Sequence, residues 1–176
     1  MAVRKALPWR RAAVPATLKA RAAASVDGRI IGWSWLPGDG WAVATRSALV
    51  VADAVRGDAD PLRIPWDRVL KATWTDGALE VVGAADGTSA NARYVLAIDE
   101  DGLLAESVRT LVTGAIAWSQ RIDEGPGRRA WFAARRDAEG DITWAVTFDA
   151  GLDAADPELR AWADGHLLRI REATGL

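Results

Sequence analysis

Residues 32–51 read "GWSWLPGDGWAVATRSALVV", and the way this stretch pairs with itself decides what the rest of the chain can build. Apolar and small residues flank Pro37-Gly38-Asp39-Gly40, so residues 29–36 and 41–46 are expected to form a hairpin, with residues 48–52 continuing as a buried, β-branched strand. Two registers are open. A four-residue loop pairs Leu36 with Trp41 and puts Trp33 and Trp35 on one face and Trp41 with Val43 on the other. A bulged three-residue turn brings all three tryptophans together. In the first case Trp41 is a candidate partner contact, and in the second the indoles are core.

Beyond this hairpin the same pattern of short strands and turn signals continues. Residues 62–64 make a short edge piece, since Pro61 and Pro65 lack the donor a ladder needs. Residues 69–75 and 78–82 are joined at Asp76-Gly77, where both positions tolerate positive φ, and residues 93–98 complete the set. The period then changes. Leu104, Val108, Leu111, Val112, Ala115 and Trp118 recur at three and four, which predicts a helix over residues 103–119 behind the acidic Asp99-Glu100-Asp101. A second hairpin is expected from residues 129–136 and 141–148; with Arg136 opposite Asp141, Trp131 would face Val146 and Ala133 would face Trp144. Asp156-Pro157-Glu158 opens a final helix with an N-cap, a proline at N1 and an acid at the positive end of the dipole. Its apolar stripe is Leu159, Trp162, Ala163, Leu167 and Ile170.

The chain of 176 residues is long enough for one core without staples. It has no cysteine and one histidine, which excludes disulfides, thiolate ligands and cysteine nucleophiles and leaves little room for imidazole chemistry. No apolar run approaches a membrane span, and Arg10, Arg11, Lys19 and Arg21 interrupt any signal-peptide core, so a cytoplasmic location is expected. The excess of arginine over lysine and the abundance of alanine suggest a high-GC bacterial source. Charge is unevenly distributed: residues 1–26 carry six bases and no acid, while the remainder is net negative. Residues 1–26, broken by Pro8 and Pro15, read as a basic arm with a helical turn or two near residues 16–24; the folded body is expected from about Asp27.

Strand order and local sequence together resemble a known architecture. "WAVATRSALVVAD" (41–53), "LRIPWDRVLKATW" (62–74) and "GALEVV" (77–82) are similar to bacterial pleckstrin-homology-like (PH-like) and GRAM-like domains, in which a strand carrying Thr-Arg precedes an Ile-Pro turn into the next strand. More particularly, the chain looks like a set of uncharacterised proteins of high-GC bacteria that keep "DGWAVATR" and "IPW" and end in a hairpin and a helix. The resemblance spans residues 29–120. It implies an α+β, mainly β fold: a PH-like antiparallel barrel or sandwich over residues 27–122, capped by a helix, then a hairpin and C-terminal helix over 123–176. It brings no activity with it. Eukaryotic PH domains that hold inositol phosphates use bases around the first hairpin, where this chain has an acid and no base.

Candidate sites are few. His166 falls beside the stripe of the last helix, as a boundary histidine would, and no G-x-S-x-G accompanies it. The carboxylates at Asp58/Asp60, at Asp99-Glu100-Asp101 and at Asp149/Asp153/Asp156/Glu158 read as caps and solvated turns and match no calcium loop. Gly38 and Gly40 do not extend to G-x-G-x-x-G, and no Walker loop occurs. No catalytic residue, metal site or cofactor is therefore expected. The leading expectation is a non-catalytic module making protein or peptide contacts, with Trp41, Trp66 and Trp9 beside turns as candidate exposed anchors. A second is an adaptor to an anionic membrane surface or nucleic acid through Arg4, Lys5, Arg10 and Arg11 around Trp9. A third is a small carboxylate-based enzyme with a pocket in the barrel.

Overall fold

Trp35 stands opposite Trp41, and Leu36 opposite Gly40, in the computed structural model, which describes residues 13–52, 60–84, 92–98 and 103–176. Strands β1 (Gly32–Leu36) and β2 (Gly40–Ala44) are thus joined by the three-residue loop Pro37-Gly38-Asp39, with Gly38 at φ 67° and Asp39 at φ 64°. The register that splits the tryptophans is not the one adopted. Gly40 explains part of this choice: a Cβ there would lie 2.9 Å from the Ala52 carbonyl oxygen and 3.0 Å from the Leu36 Cβ. Strands β3 (Ala48–Ala52) and β4 (Leu62–Pro65) extend the pair into a four-stranded antiparallel sheet in sequence order.

A 3-10 turn (Trp66–Arg68) leads into a second sheet, β5 (Val69–Thr75), β6 (Ala78–Gly83) and β7 (Ala92–Ala97). Asp76-Gly77 forms the expected two-residue hairpin, both residues at positive φ and Thr75 opposite Ala78. Helix α2 (Leu104–Ala115) covers the space between the two sheets. Its Leu104, Val108, Val112 and Ala115 share one core with Leu36, Ala42, Ala44, Leu49, Val51 and Ile64 of the first sheet and Val69, Leu79, Val81 and Leu96 of the second. The helix approaches β1 closely enough that a Cβ on Gly32 would lie 2.6 Å from the Ser107 Cβ.

The expected helix over residues 103–119 is four residues too long at its C-terminal end, and a strand was missed. Residues 116–123 form β8 (Ile116–Asp123), which starts immediately after Ala115. Ala115 and Trp118 share a helical period by coincidence: Ala115 ends the helix buried, whereas Trp118 and Ile122 alternate along a strand toward a different core. Gly114 weakens the last helical turn, and β9 (Arg129–Arg136) offers residues 116–123 a ladder, so tertiary pairing overrides the helical periodicity.

Strands β8, β9 and β10 (Ile142–Phe148) make the third sheet, in the order β10-β9-β8. The second hairpin is displaced by one residue from the expected register: Arg136 faces Ile142, Ala134 faces Trp144 and Phe132 faces Val146. The cause is Asp137. Its Oδ1 accepts the backbone N–H groups of Glu139, Gly140 and Asp141 at 3.0, 2.7 and 2.8 Å, which draws Asp141 into the loop. The shift exchanges faces, so Phe132 is fully buried and Trp131 is half exposed on the opposite side. On the inner face small residues sit between large ones, Ala134 between Trp118 and Trp144 and Ala130 between Ile122 and Phe148.

That face is covered by α3 (Pro157–Thr174), through Ala163, Ile170, Trp162 and Leu167. Its start is as expected: Asp156 Oδ1 accepts the Glu158 N–H at 2.9 Å, and Pro157 opens the first turn. The remaining helix, α1 (Ala16–Ala22), lies in the segment read as an arm. It packs Leu18 and Ala22 onto the outer face of the first sheet, against Trp33, Trp41, Val43, Ala48 and Val50. The described residues therefore form three antiparallel sheets and three α-helices, mainly β, with no closed barrel among them. No described helix is long and apolar enough to cross a membrane.

Candidate functional site

The described residues bring few of the sequence-derived site candidates together. Arg4, Lys5, Trp9, Arg10 and Arg11 lie outside the described residues, as do Asp58 and Asp99-Glu100-Asp101. Trp41 and Trp66 do not stay exposed, each being only 4% accessible. Trp41 lies beneath α1 because the three-residue loop turns it to the same face as Trp33. Trp66 lies in the core shared by the first two sheets, its indole Nε1 donating to the Thr45 carbonyl at 3.0 Å. A partner would have to displace α1 to reach Trp41 and open the core to reach Trp66.

The carboxylates have local structural work. Asp149 Oδ2 receives Arg121 Nη2 at 2.6 Å, and Asp153 Oδ1 accepts the Ala155 N–H at 2.8 Å. Among the described residues no three His, Asp or Glu side chains converge as a metal site would require.

His166 has a defined partner. On α3, Trp162 and His166 are four residues apart and face the β8–β9 turn, where Glu124 receives both: Trp162 Nε1 donates to Oε2 at 2.7 Å, and His166 Nε2 lies 3.0 Å from Oε1. The two rings are 4.9 Å apart and both lie about 6.1 Å from Phe132. The indole hydrogen bond, with a smaller contribution from His166, holds the Glu124 carboxyl below the usual glutamate range against the opposing effect of desolvation. A carboxyl depressed in the folded state contributes stability above its unfolded pKa of about 4.3 and loses it as pH falls through the lower folded value. The stability of the wild type should therefore drop more steeply below about pH 4 than that of Glu124→Gln, which keeps an acceptor but carries no charge. Urea melts across pH 2–6 check this; parallel curves would refute it. The cluster clamps α3 to a turn.

A second buried polar group lies where the outer face of the third sheet meets the 3-10 turn. Arg135 is 4% exposed and donates from Nη2 to the Leu70 carbonyl at 3.1 Å, while Thr143 Oγ1 donates to Asp67 Oδ2 at 3.2 Å. Burial pushes the Arg135 guanidinium down, opposed by the charge of Asp67. Asp67 Oδ1 and the Nε and Nη1 of Arg135 have no protein partner. This contact joins the second and third sheets.

A concave surface lies elsewhere, between α1 and the segment that leads into β1. It is a groove of about 490 Å³, floored by Ala22 and walled by Val14, Val26 and Ile30, with Lys19 and Arg29 on its rim. The volume is that of a site for a small ligand or for a few side chains of a peptide. Neither cation has an ion-pair partner among the described residues. An apolar trough edged by two cations that have no ion-pair partner among the described residues suits an amphiphile that combines apolar groups with an anion. Sequence reading missed it because residues 1–26 were assigned to an arm. Part of the signal is there: Leu18 and Ala22 are spaced i, i+4, one apolar face of a short helix.

Compared with family models, with curated proteins and with solved structures, the chain has no significant match in any of the three.

Proposed function

We propose that this chain is a non-catalytic binding module on a PH-like scaffold, working in the bacterial cytosol through contacts with a protein or peptide, and that its groove between α1 and β1 takes an apolar segment bearing a carboxylate. The scaffold part of this reading rests on a sheet of four strands followed by one of three, both sharing a core closed by a helix that comes next in sequence. That order is what the resemblance in residues 29–120 implies. The ligand part rests on one observation: among the described residues the groove is lined by apolar side chains and two cations, with no carboxylate. The first hairpin loop, with Asp39 and no base, offers nothing to an inositol phosphate.

The test is selection of displayed random peptides on the full-length chain, followed by affinity measurement against variants. Enriched peptides should combine large apolar residues with Asp or Glu. Their binding should weaken roughly tenfold in the double variant Lys19→Glu/Arg29→Glu and be lost in Val26→Asp, which puts a charge in the wall. Peptides that bind Val26→Asp as well as the wild type would sink the proposal. Salt-sensitive binding to anionic vesicles that survives Val26→Asp but fails after deletion of residues 1–25 would decide for the membrane adaptor instead.

A further inference from the structure

The third sheet ends at β10, and that edge lacks the protection found on the other edges. Edge strands in soluble proteins are normally short, charged, interrupted by proline or bulges, or covered, because a free row of N–H and C=O groups templates pairing with another chain. Strand β4 has four residues, among them Arg63 and Pro65. β5 has an irregularity between Val69 and Lys71, β7 carries Arg93, and β8 carries Arg121 and Asp123. β1 is bridged at Trp33 by Leu103. By contrast β10 is a regular seven-residue strand, "ITWAVTF", with no charge, no proline and no register shift, paired among the described residues only with β9. All seven residues are partly exposed, including Trp144, Val146 and Phe148 on the core face.

The order of these residues suggests what covers the edge. About Ala145 the strand is nearly symmetric: Trp144 mirrors Val146, Thr143 mirrors Thr147, and Ile142 mirrors Phe148. We propose that β10 pairs antiparallel with β10 of a second copy of this chain about a two-fold axis at Ala145, joining the two third sheets into one of six strands. Antiparallel self-pairing about one residue is isologous, so both copies present the same surface. On the inner face Trp144 then meets Val146 of the other copy and Ile142 meets Phe148. On the outer face Thr143 meets Thr147 and Ala145 meets its own counterpart. Aromatic with β-branched, and threonine with threonine, are the favourable cross-strand pairs, and no like charges meet anywhere along the seam. An arbitrary peptide would have to supply this complementarity; a second copy has it by symmetry.

Sedimentation equilibrium on the full-length chain at roughly 100 μM should give twice the single-chain mass, with dissociation on dilution. Ala145→Lys sets two lysines face to face on the axis, and Ala145→Glu sets two glutamates there. Each should be monomeric at that concentration, with a dissociation constant raised roughly tenfold or more, and an equimolar mixture of the two should recover the dimer. Amide hydrogen exchange of the wild type covers the case in which a variant fails to fold: alternate amides of β10 should be protected when concentrated and exchange freely when dilute. A monomeric wild type would overturn the proposal, as would a dimer that Ala145→Lys leaves intact. So would a monomer whose β10 amides become protected only on adding an extended peptide.

Discussion

Replacing Trp66 with alanine is expected to cost about 3–5 kcal/mol of folding stability, enough to leave a domain of this size marginal or unfolded. Three losses coincide. The indole is 4% exposed in the core common to the first two sheets and α2, so its removal leaves a large cavity. Its Nε1 donates to the Thr45 carbonyl at 3.0 Å, and that acceptor would be left buried without its partner. Thr45 itself is fully buried and organises the β2–β3 turn, its Oγ1 accepting the Ala48 N–H at 3.1 Å and donating to the Ala48 carbonyl at 3.1 Å. Trp66→Phe keeps most of the volume and loses the hydrogen bond, so it should cost clearly less than the alanine variant. Urea denaturation followed by far-UV circular dichroism measures both. A Trp66→Ala variant within 1 kcal/mol of wild type, roughly the mean for any substitution, would mean that the indole is not the keystone its burial indicates.

Leu18→Asp should release α1 from the first sheet. Leu18 is completely buried against Trp33, Trp41, Val43 and Val50, and an unpaired carboxylate there would carry a desolvation cost of several kcal/mol. A seven-residue helix has little stability of its own, so the chain can escape that cost by undocking and fraying. The global loss is then capped at what docking contributes, and the damage is local. Trp33, Trp35 and Trp41 should become solvent-accessible, and the Arg21 guanidinium, 5.8 Å from the Trp35 ring centre, should leave it. With ten tryptophans in the chain, fluorine NMR of fluorotryptophan-labelled protein separates these three from the rest. Resonances of Trp118, Trp144 and Trp162 in the third core should stay in place; if they move with the others, α1 is coupled to the whole molecule and the local account fails.

How much of this was legible in the sequence depended on whether the deciding force was local. Asp76-Gly77 and Asp156-Pro157 set their own backbone geometry, and both the hairpin and the helix start are where those residues put them. The first hairpin is ambiguous because Pro37-Gly38-Asp39-Gly40 suits two loop lengths; part of what decides is the close approach of Gly40 to the Ala52 carbonyl on the neighbouring strand, which lies outside the hairpin. The second register slipped by one because a single carboxylate, Asp137, collects three backbone donors. β8 was hidden by a helical period that ran past the end of α2 into Trp118. The groove was hidden by composition, since alanine, arginine and two prolines disguise an apolar stripe as a tail. Trp41 and Trp66 were read from their neighbours in sequence, and burial is decided by neighbours in space.

Helix α2 runs into β8 with no residue between Ala115 and Ile116, and the Ile116 N–H still bonds to the Thr113 carbonyl. A junction of that kind has only the dihedrals of its own two residues about which to turn, where a loop would offer those of every residue in it. Helix α2 is held in the core of the first two sheets along its length, through Leu104, Val108, Val112 and Ala115, and leads straight into the third sheet, which Arg135 ties to the Leu70 carbonyl. Movement of the third sheet against the other two is thus restrained at two separate points, the junction of Ala115 with Ile116 and the Arg135 hydrogen bond.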